Sequence, residues 1–492
     1  MENISLILFV LLGALLLRAL WQLVRLSWAP NARLPGPWYT KYTGLVTVYK
    51  EFNGTGAHWV EQLHRKYGNV VRIKPNEVDF NSPSAAKTIH SYRKPFTKAA
   101  FYSMLDFNPG VPSIITTRDN ANHGRLRRLF SSSTSESSMK LVEPLVNERI
   151  DLAIQRMEEE MTAEGYADVL KWWVFMATDV SGHLSFGESF RMLEQKKKNQ
   201  YAKDLEDASK GVALMQLSPR LWKTLGEWGV PIFRGLLALR ARVQKYADES
   251  LRRQQRMQIV EAQNFRPTFF TNILREGEKN GDTMSWDEMR MNADAFIIAG
   301  ADTTAHTLTY LVWQLSKLEN VSMKKRLLEE LSLLKDGFTN EDLKPLSYLQ
   351  CVITETLRLH AAAPGQLPRD VPPGGAEIDG IWFEEGTVAV TQPFSLHRNA
   401  DVFPEPEEFN PSRWEAPSKA MNDAFLAFGG GSRTCLGINL ANMELRLATA
   451  KYFLKFPHSK VSTKEGFCDD DMEMWISFLM SPKKHRCLIE LS

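Results

Sequence analysis

A glycine-rich turn that ends at a cysteine, residues 428–437, constrains this 492-residue chain more than any other feature. It places Arg433 two residues before Cys435, and an apolar, helix-forming stretch begins near Ile438. A nearby guanidinium and the positive end of a helix both favour a thiolate over a thiol. The segment therefore has the form expected of a cysteine thiolate that is presented to a metal such as iron.

Other functions of a glycine-rich turn fit this segment poorly. No Lys-Ser or Lys-Thr follows it, so the phosphate-binding loop pattern fails, and the dinucleotide-binding glycine pattern does not fit either. Ser432 lacks the paired flanking glycines of a nucleophile elbow. A lone cysteine in such a turn is more often inert, and only Arg433 and the motifs described below argue against that interpretation here.

The composition argues against several classes of protein. The formal net charge of +2 is far from the basic excess of a nucleic-acid-binding protein. Cys351, Cys435, Cys468 and Cys487 form no C-x-x-C pair and no metal-finger spacing, which favours a reducing compartment without disulfides. The histidines contain no H-E-x-x-H pattern, which argues against a zincin-type site.

Residues 1–28 are predicted to form a membrane anchor. The chain is almost wholly apolar over residues 4–17, and Arg18, which can snorkel, extends the run toward the ~20 residues that a membrane span requires. A cleaved signal peptide fits less well, because neither a positive n-region nor a small-residue cleavage site is visible. Arg18, Arg25 and Arg33 follow the run, so the positive-inside rule places the N-terminus in the lumen and the body of the chain in the cytosol.

The rest of the chain is predicted to be a proline-rich hinge, residues 29–40, followed by one catalytic domain, residues 41–492. Residues 70–80 have the alternation of a β-hairpin, and most of residues 120–360 has helical spacing. Short β-branched runs return over residues 365–390. The predicted fold class is therefore mostly α with a minor β part.

A second motif lies inside the helical pattern of residues 291–315. Gly300 in mid-helix costs about 0.5–1 kcal/mol relative to Ala, and a hydroxyl residue can bond back to a carbonyl one turn earlier and bend the helix. Together these residues predict a notch beside Gly300. Asp302 followed by Thr303 has the form of a proton relay. A buried packing seam of small residues would produce the same pattern, and the residues alone leave both interpretations open.

A third motif pairs Glu355 with Arg358 on a helix predicted over residues 347–360. Residues three apart share a helix face, so the two side chains can pair. The spacing alone is equally consistent with an ordinary surface pair, which is worth less than ~1 kcal/mol.

Together these motifs resemble the cytochrome P450 family across the whole chain. The spacing F-x-x-G-x-R-x-C-x-G in residues 428–437 matches the haem-binding signature of the family, and residues 299–304 match its oxygen-activating helix. The E-x-x-R pair and an arginine-bearing loop, residues 409–414, follow in the order typical of the family. The resemblance implies the cytochrome P450 fold and a haem-thiolate monooxygenase, an oxidoreductase that inserts one oxygen atom.

The resemblance also implies roles for individual residues. Haem b would take Cys435 as its axial thiolate ligand, Asp302 and Thr303 would be catalytic, and Glu355, Arg358 and Arg413 would form a buried structural triad. The further cofactor-binding residues would be Phe428, Gly431 and Gly437 in the cysteine loop, and His123, Arg127, Arg369 and Arg433 at the haem propionates. The propionate-binding helix of the family often carries Trp where this chain has His123.

The resemblance places the substrate in an apolar to mildly polar pocket. The predicted walls are Phe101, Phe296, Ala299, Pro364, Leu367 and Phe478, although each aromatic taken singly is more typical of ordinary core. Such walls suit a hydrophobic small molecule with a few oxygens. The chain resembles the ascomycete branch that modifies terpenoids and polyketides, so we expect hydroxylation of a terpenoid such as a trichothecene, with isotrichodermin C-15 hydroxylation as the specific reaction.

Other activities are compatible with the same motifs. Action on a polyketide, desaturation or epoxidation would need every motif above, whereas a haem-binding sensor without turnover would not need Asp302 and Thr303. No flavin or nicotinamide motif is visible, so we expect electrons from a separate NADPH–cytochrome P450 reductase, with cytochrome b5 as a further partner. The expected location is the endoplasmic reticulum membrane, single-pass, with the catalytic domain in the cytosol and no nucleic-acid partner. Residues 221–237 are interpreted as core, with membrane contact as the alternative.

Overall fold

The computed structural model describes residues 20–92, 96–105, 110–204, 224–260 and 283–491, together with residues 13, 17–18, 207, 268–270 and 273. The anchor predicted over residues 1–28 lies largely outside these residues. Among the residues described, no helix is both long enough and apolar enough to cross a membrane.

Helices dominate the chain. In order they are α1 Leu45–Phe52, α2 Gly56–Tyr67, α3 Pro83–Ile89, α4 Phe101–Met104, α5 Asn120–Ser131, α6 Glu136–Glu164, α7 Val169–Phe186, α8 Met192–Gln195, α9 Pro231–Val260, α10 Trp286–Ser316, α11 Val321–Leu331, α12 Asn340–Leu343, α13 Ser347–Leu359, α14 Pro393–Leu396, α15 Lys419–Ala424 and α16 Ile438–Lys455. The predicted mostly helical class with small sheets is confirmed.

Local sequence signals define the ends of the long helices. The Ser285 side chain accepts from the backbone of Glu288, whose side chain bonds back to Ser285, so a complete capping box starts α10. Helix α6 starts after Ser135, which accepts from the backbone N–H of Ser138, and ends at the left-handed Gly165. The capping box at Ser285 thus fixes where α10, the helix that carries Asp302, begins.

The strands form one five-stranded sheet and three small ones. They are β1 Val70–Lys74, β2 Glu77–Phe80, β3 Thr97–Lys98, β4 Ala167–Asp168, β5 Arg369–Asp370, β6 Ala376–Ile378, β7 Ile381–Phe383, β8 Val388–Val390, β9 Ser459–Val461, β10 Met474–Ile476, β11 Met480–Pro482 and β12 Leu488–Leu491. The large sheet has the order β1-β2-β8-β5-β3, and the pairs β10–β11 and β6–β7 and the trio β4-β12-β9 stand apart. β1 and β2 pair antiparallel, so the hairpin predicted at residues 70–80 is confirmed.

The core is built around helices α7 and α10. Trp173 on α7 and Tyr310 on α10 are completely buried, as is Phe453 on α16. The two helices approach so closely at Gly300 that a Cβ there would lie 2.4 Å from Oγ of Ser181. Gly300 therefore serves helix packing, and the notch predicted from it is wrong; the packing-seam interpretation holds for this residue.

The proline-rich segment, residues 29–40, is tied to the large sheet by one side chain. Arg72 on β1 is almost completely buried, and its guanidinium donates to four backbone carbonyls of that segment. The acceptors are Asn31 at 3.1 Å, Ala32 at 3.1 Å, Leu34 at 2.8 Å and Pro37 at 3.2 Å. The carbonyls of Asn31 and Pro37 also accept bonds within the segment, whereas Arg72 adds bonds between the segment and the sheet, so the two stabilise each other.

The apolar segment of residues 221–237 is only partly described, and residues 221–223 lie outside. Trp228 is 78% exposed, so its predicted placement in the core is wrong. It lies three residues before α9, on which the first buried hydrophobic residue among those described is Leu239.

Candidate active site

The cysteine loop is held by its own backbone. The N–H of Cys435 donates to the carbonyl of Phe428 at 2.8 Å, and the N–H of Thr434 donates to the carbonyl of Gly431 at 3.2 Å. The Thr434 hydroxyl donates to the same carbonyl at 2.8 Å. These bonds close the loop into a compact turn just before α16, so Cys435 lies next to the positive end of that helix.

Glycine is required at position 431. Its φ of +61° is in the left-handed region, and a Cβ there would lie 1.8 Å from the carbonyl oxygen of His90. Any side chain would displace the backbone of either segment. The loop therefore depends on Gly431 to pack against the residue that follows helix α3.

The thiol of Cys435 has the environment of a metal ligand. Although its side chain is locally exposed, it lies deep enough that burial raises the pKa of the thiol. The backbone N–H of Gly437 and the charge of Arg127 favour the thiolate and oppose this rise. A metal ion at Sγ would remove the remaining cost, because a coordinating thiol loses its proton. The loop therefore fits a thiolate that binds iron.

Next to the loop, Arg433 is mostly enclosed by protein and only partly satisfied. It donates to the carbonyl of Thr117 at 3.0 Å and to Oδ1 of Asn120 at 2.7 Å, whereas its buried Nε has no partner. Burial and the nearby Arg369 charge lower the pKa of Arg433 to about 10. A buried donor without an acceptor beside a second buried cation is the arrangement expected where an anionic group binds.

The remaining predicted propionate residues gather around His123. Burial lowers the pKa of His123 to about 3, and the charges that add to this effect are those of Arg433, Lys98, Arg127 and Arg369. Arg127 also donates to the carbonyl of Thr434 at 2.7 Å, which ties helix α5 to the cysteine loop. In the described residues, neither Arg369 nor Arg433 forms a salt bridge with a carboxylate. A neutral imidazole surrounded by cations fits the two carboxylates of a porphyrin.

Lys98 is a member of this cluster that the sequence did not single out. It is buried, its Nζ donates to the carbonyl of Ile115, and the ammonium lies 4.5 Å from the ring centroid of Tyr102. The guanidinium of Arg369 lies 5.4 Å from the same ring. No motif marks Lys98, since only the pairing of β3 with β5 brings it beside Arg369.

The acid–hydroxyl pair lies in an uninterrupted part of α10. The hydroxyl of Thr303 donates to the carbonyl of Ala299 at 2.6 Å, which is the back-bond that the sequence predicted. Asp302 is half-buried. One turn later lies His306, whose pKa burial lowers while the charge of Asp302 opposes the change. The pair is thus accompanied by a second titratable side chain on the same helix.

The structure brings Glu355, Arg358 and Arg413 into one buried cluster. Arg358 donates to both carboxylate oxygens of Glu355, each at 2.8 Å, and Arg413 donates to Oε1 at 3.0 Å. The indole of Trp414 donates to Oε2 at 2.8 Å. With Glu355 and Arg358 both completely buried, the surface-pair interpretation is excluded.

A histidine connects this cluster to the cysteine loop. Nδ1 of His397 lies 2.9 Å from the carbonyl of Arg358, and Nε2 lies 2.9 Å from the backbone N–H of Leu426. A carbonyl only accepts and an N–H only donates, so His397 is protonated at Nδ1 and neutral. Burial lowers the pKa of His397 to about 3, which keeps it neutral. Leu426 extends this connection into the cysteine loop, because its carbonyl accepts a hydrogen bond from the N–H of Gly429.

The predicted pocket walls are partly brought together. The rings of Phe101 and Phe478 lie 6.2 Å apart. Gly365 lies beside Ser477, so the segments that contain Pro364, Leu367 and Phe478 are neighbours. Phe296 differs: its ring packs 4.7 Å from Phe130 and also contacts Phe269 and Phe270, which are core neighbours. The structure thus groups Phe296 with the core. Ala299, on the same helix, accepts the hydrogen bond from the Thr303 hydroxyl through its carbonyl.

A family model described as cytochrome P450 matches residues 35–489. The chain belongs to the cytochrome P450 family. It is 41% identical to "Cytochrome P450 monooxygenase tazI" of Aspergillus terreus over 97% of each chain. It is 36% identical to "Cytochrome P450 monooxygenase orf2" of Aspergillus niger, with 94% of this chain and 93% of the relative covered. It is 30% identical to "Averantin hydroxylase" of Dothistroma septosporum, with 96% and 89% covered.

The family recognised from the cysteine loop is therefore confirmed. This P450 is a haem-thiolate monooxygenase, so it uses haem with a cysteine thiolate, a redox partner and a small-molecule substrate. The relatives named above are fungal proteins.

Proposed function

We propose that this P450 hydroxylates an apolar fungal secondary metabolite and that Cys435 is the axial ligand of haem b. One observation carries the proposal: the loop that presents Cys435 lies against a buried cationic cluster in which Nε of Arg433 has no partner. The thiolate would bind the iron of a porphyrin, and the cations beside it would bind the two propionates of the same porphyrin.

When bound, the haem supplies the redox chemistry, since it takes electrons and activates dioxygen. The chain holds it at two places: Cys435 at the iron, and Arg369, Arg433, Arg127 and neutral His123 at the propionates. Lys98 adds a further cation there. Arginine suits this task because its planar donors bind a carboxylate through two bonds.

Asp302 and Thr303 move protons to the reacting oxygen. Asp302 carries the proton, and the hydroxyl of Thr303, now bonded to the carbonyl of Ala299, rotates to pass it on. A non-turnover sensor would not need this pair, so enzymatic turnover is the function that the pair supports.

The substrate proposal rests on the relatives and on the pocket walls. One of the relatives named above is called a hydroxylase of averantin, and none of those three is named for a trichothecene. A hydrophobic small molecule fits Phe101 and Phe478, which are both aromatic and adjacent. Trichothecene hydroxylation, including isotrichodermin C-15 hydroxylation, stays a prediction beside action on a polyketide, desaturation and epoxidation.

We further propose electron supply by NADPH–cytochrome P450 reductase, with cytochrome b5 as a second donor, and residence in the endoplasmic reticulum membrane through residues 1–28. What supports the reductase is the sequence, which shows no flavin or nicotinamide motif. What supports the anchor is the apolar run of residues 4–17.

The decisive experiment combines spectroscopy with product analysis. The reduced, CO-bound protein is expected to show the red-shifted Soret band of a thiolate-bound haem, and Cys435→Ala is expected to lose it. Survival of that band in Cys435→Ala would exclude Cys435 as the ligand. Comparing metabolites of the host with and without the gene then identifies the substrate. We expect one compound to accumulate in the deletion strain. The purified enzyme, supplied with reductase, is expected to add one oxygen atom to that compound.

A further inference from the structure

Helix α10 carries a buried carboxyl group that belongs to none of the motifs described above. Asp294 lies about two turns before Asp302, and its side chain is completely buried. Its Oδ1 accepts a hydrogen bond of 2.9 Å from the hydroxyl of Tyr201, and its Oδ2 is buried without a partner among the residues described. A buried carboxyl group with a single donor is more stable in its neutral form than in its charged form.

Tyr201 belongs to a short helical turn, residues 200–204, that packs on α9. It is buried, and its ring stacks on that of Tyr246 with the ring centroids 4.2 Å apart. In the same turn, Asp204 accepts from two nitrogens of Arg242, each at 2.9 Å. Tyr246 and Arg242 both lie on α9. A ring stack and a two-point ion pair therefore join residues 200–204 to α9, and we call the two together the α9 unit.

Two polar contacts between the α9 unit and α10 differ in their response to pH. At the start of α10, the indole of Trp286 donates to Oδ1 of Asp248 at 2.6 Å. This bond lowers the pKa of Asp248, so the contact keeps the same charge state near neutral pH. The second contact is the bond from Tyr201 to Asp294, and its acceptor is shielded from water.

Asp294 changes its charge near neutral pH. Burial raises its pKa to about 7 from an ordinary value of 3.8, whereas the bond from Tyr201 and the charge of Arg290 act in the opposite direction. Arg290 lies one turn earlier on α10 and is itself paired with Asp287 at 2.9 Å. Below about pH 7 the carboxyl group is therefore mostly neutral where it lies. Once it is ionised, exposure to water favours it, and exposure requires Tyr201 to move away.

From these contacts we propose that the bond between Tyr201 and Asp294 is a pH-sensitive latch between the α9 unit and α10. The latch is closed while the carboxyl group is protonated and loosens when the group is ionised. A hydrated Asp294 in the open state has its ordinary affinity for protons, so the opening constant rises by up to about tenfold per pH unit and levels off above about pH 7. The inference goes beyond the proposed function, because it concerns the helix that carries Asp302 and Thr303 and not the reaction.

Amide hydrogen exchange of the full chain, followed by mass spectrometry, tests the latch. At each pH the exchange rates of residues 200–204 and of α9 are divided by those of Asp294→Asn, which cancels the pH dependence of the exchange chemistry. Asp294→Asn still accepts from Tyr201 but does not titrate. The ratio is expected to rise severalfold from about pH 5.5 to about pH 7 and to level off above that. The CO-bound spectrum recorded at each pH shows that the haem-thiolate centre is intact, so that its loss is not mistaken for opening.

Tyr201→Phe removes the donor and keeps the ring, so it is expected to exchange faster than the wild type even at about pH 5.5. Tyr246→Phe is the matched control, because its ring still stacks and the lost hydroxyl bonds within α9, to Ser250 and Arg253. It is expected to keep the wild-type ratio. A ratio that does not change with pH would overturn the proposal, as would exchange in Tyr201→Phe at the wild-type rate. If Tyr201→Phe does not fold, the comparison of the wild type with Asp294→Asn decides the question alone.

Discussion

Nε2 of His397 accepts a hydrogen bond of 2.9 Å from the backbone N–H of Leu426, the residue whose carbonyl holds the start of the cysteine loop. The other ring nitrogen donates to the carbonyl of Arg358. The triad of Glu355, Arg358 and Arg413 and the cysteine loop are therefore connected through one neutral imidazole. The triad stabilises the loop through this ring.

Replacing His397 is expected to weaken the thiolate site. His397→Leu leaves the carbonyl of Arg358 and the N–H of Leu426 buried without partners, at about 1–3 kcal/mol each. During incubation, we expect the CO-bound spectrum of His397→Leu to change from the thiolate form to an inactive form faster than that of the wild type. His360→Leu is the control, since His360 is also a buried histidine and bonds to Gln314; it should lower stability without accelerating the spectral change. Equal rates in the two variants would contradict the connection.

The triad is expected to dominate the stability of this region. Glu355→Gln leaves two buried guanidinium groups without a carboxylate, which costs about 3–5 kcal/mol. Thermal unfolding followed by circular dichroism should show a large fall in the midpoint. Lys245→Ala, which breaks an exposed pair with Glu249, should leave the midpoint near that of the wild type. A small effect of Glu355→Gln would mean that water replaces the lost bonds.

Gly431→Ala is expected to prevent formation of the cysteine loop. The left-handed backbone costs about 1–2 kcal/mol for a residue with a Cβ, and the contact with the carbonyl of His90 adds to this. Haem content of the purified protein is the measurement, and it should fall sharply. Gly466→Ala has a similar φ of +67° but open space around the new Cβ, so it should keep its haem. Normal haem content in Gly431→Ala would show that the loop can shift.

Lys98 is expected to contribute to haem retention. Lys98→Met keeps most of the side-chain volume and removes the charge near Arg369 and Arg433. Haem should transfer to apomyoglobin faster from Lys98→Met than from the wild type. Transfer should be faster still from Arg433→Gln, which also loses the direct bonds to Thr117 and Asn120. Unchanged transfer from Lys98→Met would place Lys98 outside the propionate site.

Glu444, which is buried on α16 and accepts a hydrogen bond of 2.9 Å from Thr304, is expected to make the protein less stable as the pH rises. Its pKa is about 8 in the folded protein, against an ordinary value of 4.5, so the folded state binds more protons between these values. Stability from this group is therefore complete below about pH 4.5 and is lost as the pH rises toward about 8, at roughly 1.4 kcal/mol per pH unit. Glu444→Gln lacks this titration. The unfolding midpoint of the wild type should fall relative to that of Glu444→Gln over this range, and parallel curves would show that Glu444 is ionised.

Motifs with fixed spacing revealed most of the site, because their chemistry is local. The cysteine loop, Asp302–Thr303 and Glu355–Arg358 each lie on a single segment, and the sequence predicted the back-bond of Thr303 and the hairpin at residues 70–80. The sequence left the role of Gly300 open between a notch and a packing seam, because the choice depends on Ser181 from a distant helix. Trp228 was misplaced because hydrophobicity alone does not distinguish a buried ring from an exposed one.

The residues that the sequence missed are those defined by tertiary contacts. Lys98 is near Arg369 only because β3 pairs with β5, and His397 has a role only between Arg358 and Leu426. Glu444 offered a weak signal, a carboxylate between apolar neighbours, but its partner Thr304 lies in another segment of the chain.

The contact of Arg72 with the segment of residues 29–40 has a mechanical consequence. Its guanidinium binds four successive parts of that segment from within the large sheet, so tension applied at the N-terminus reaches β1 before the segment can unravel. The bonds share the load, and it passes to β2 and then β8 across the ladder. A membrane tether that pulls on this chain would thus transmit force to the sheet that carries Arg369. A flexible segment without these bonds would extend first and transmit little force.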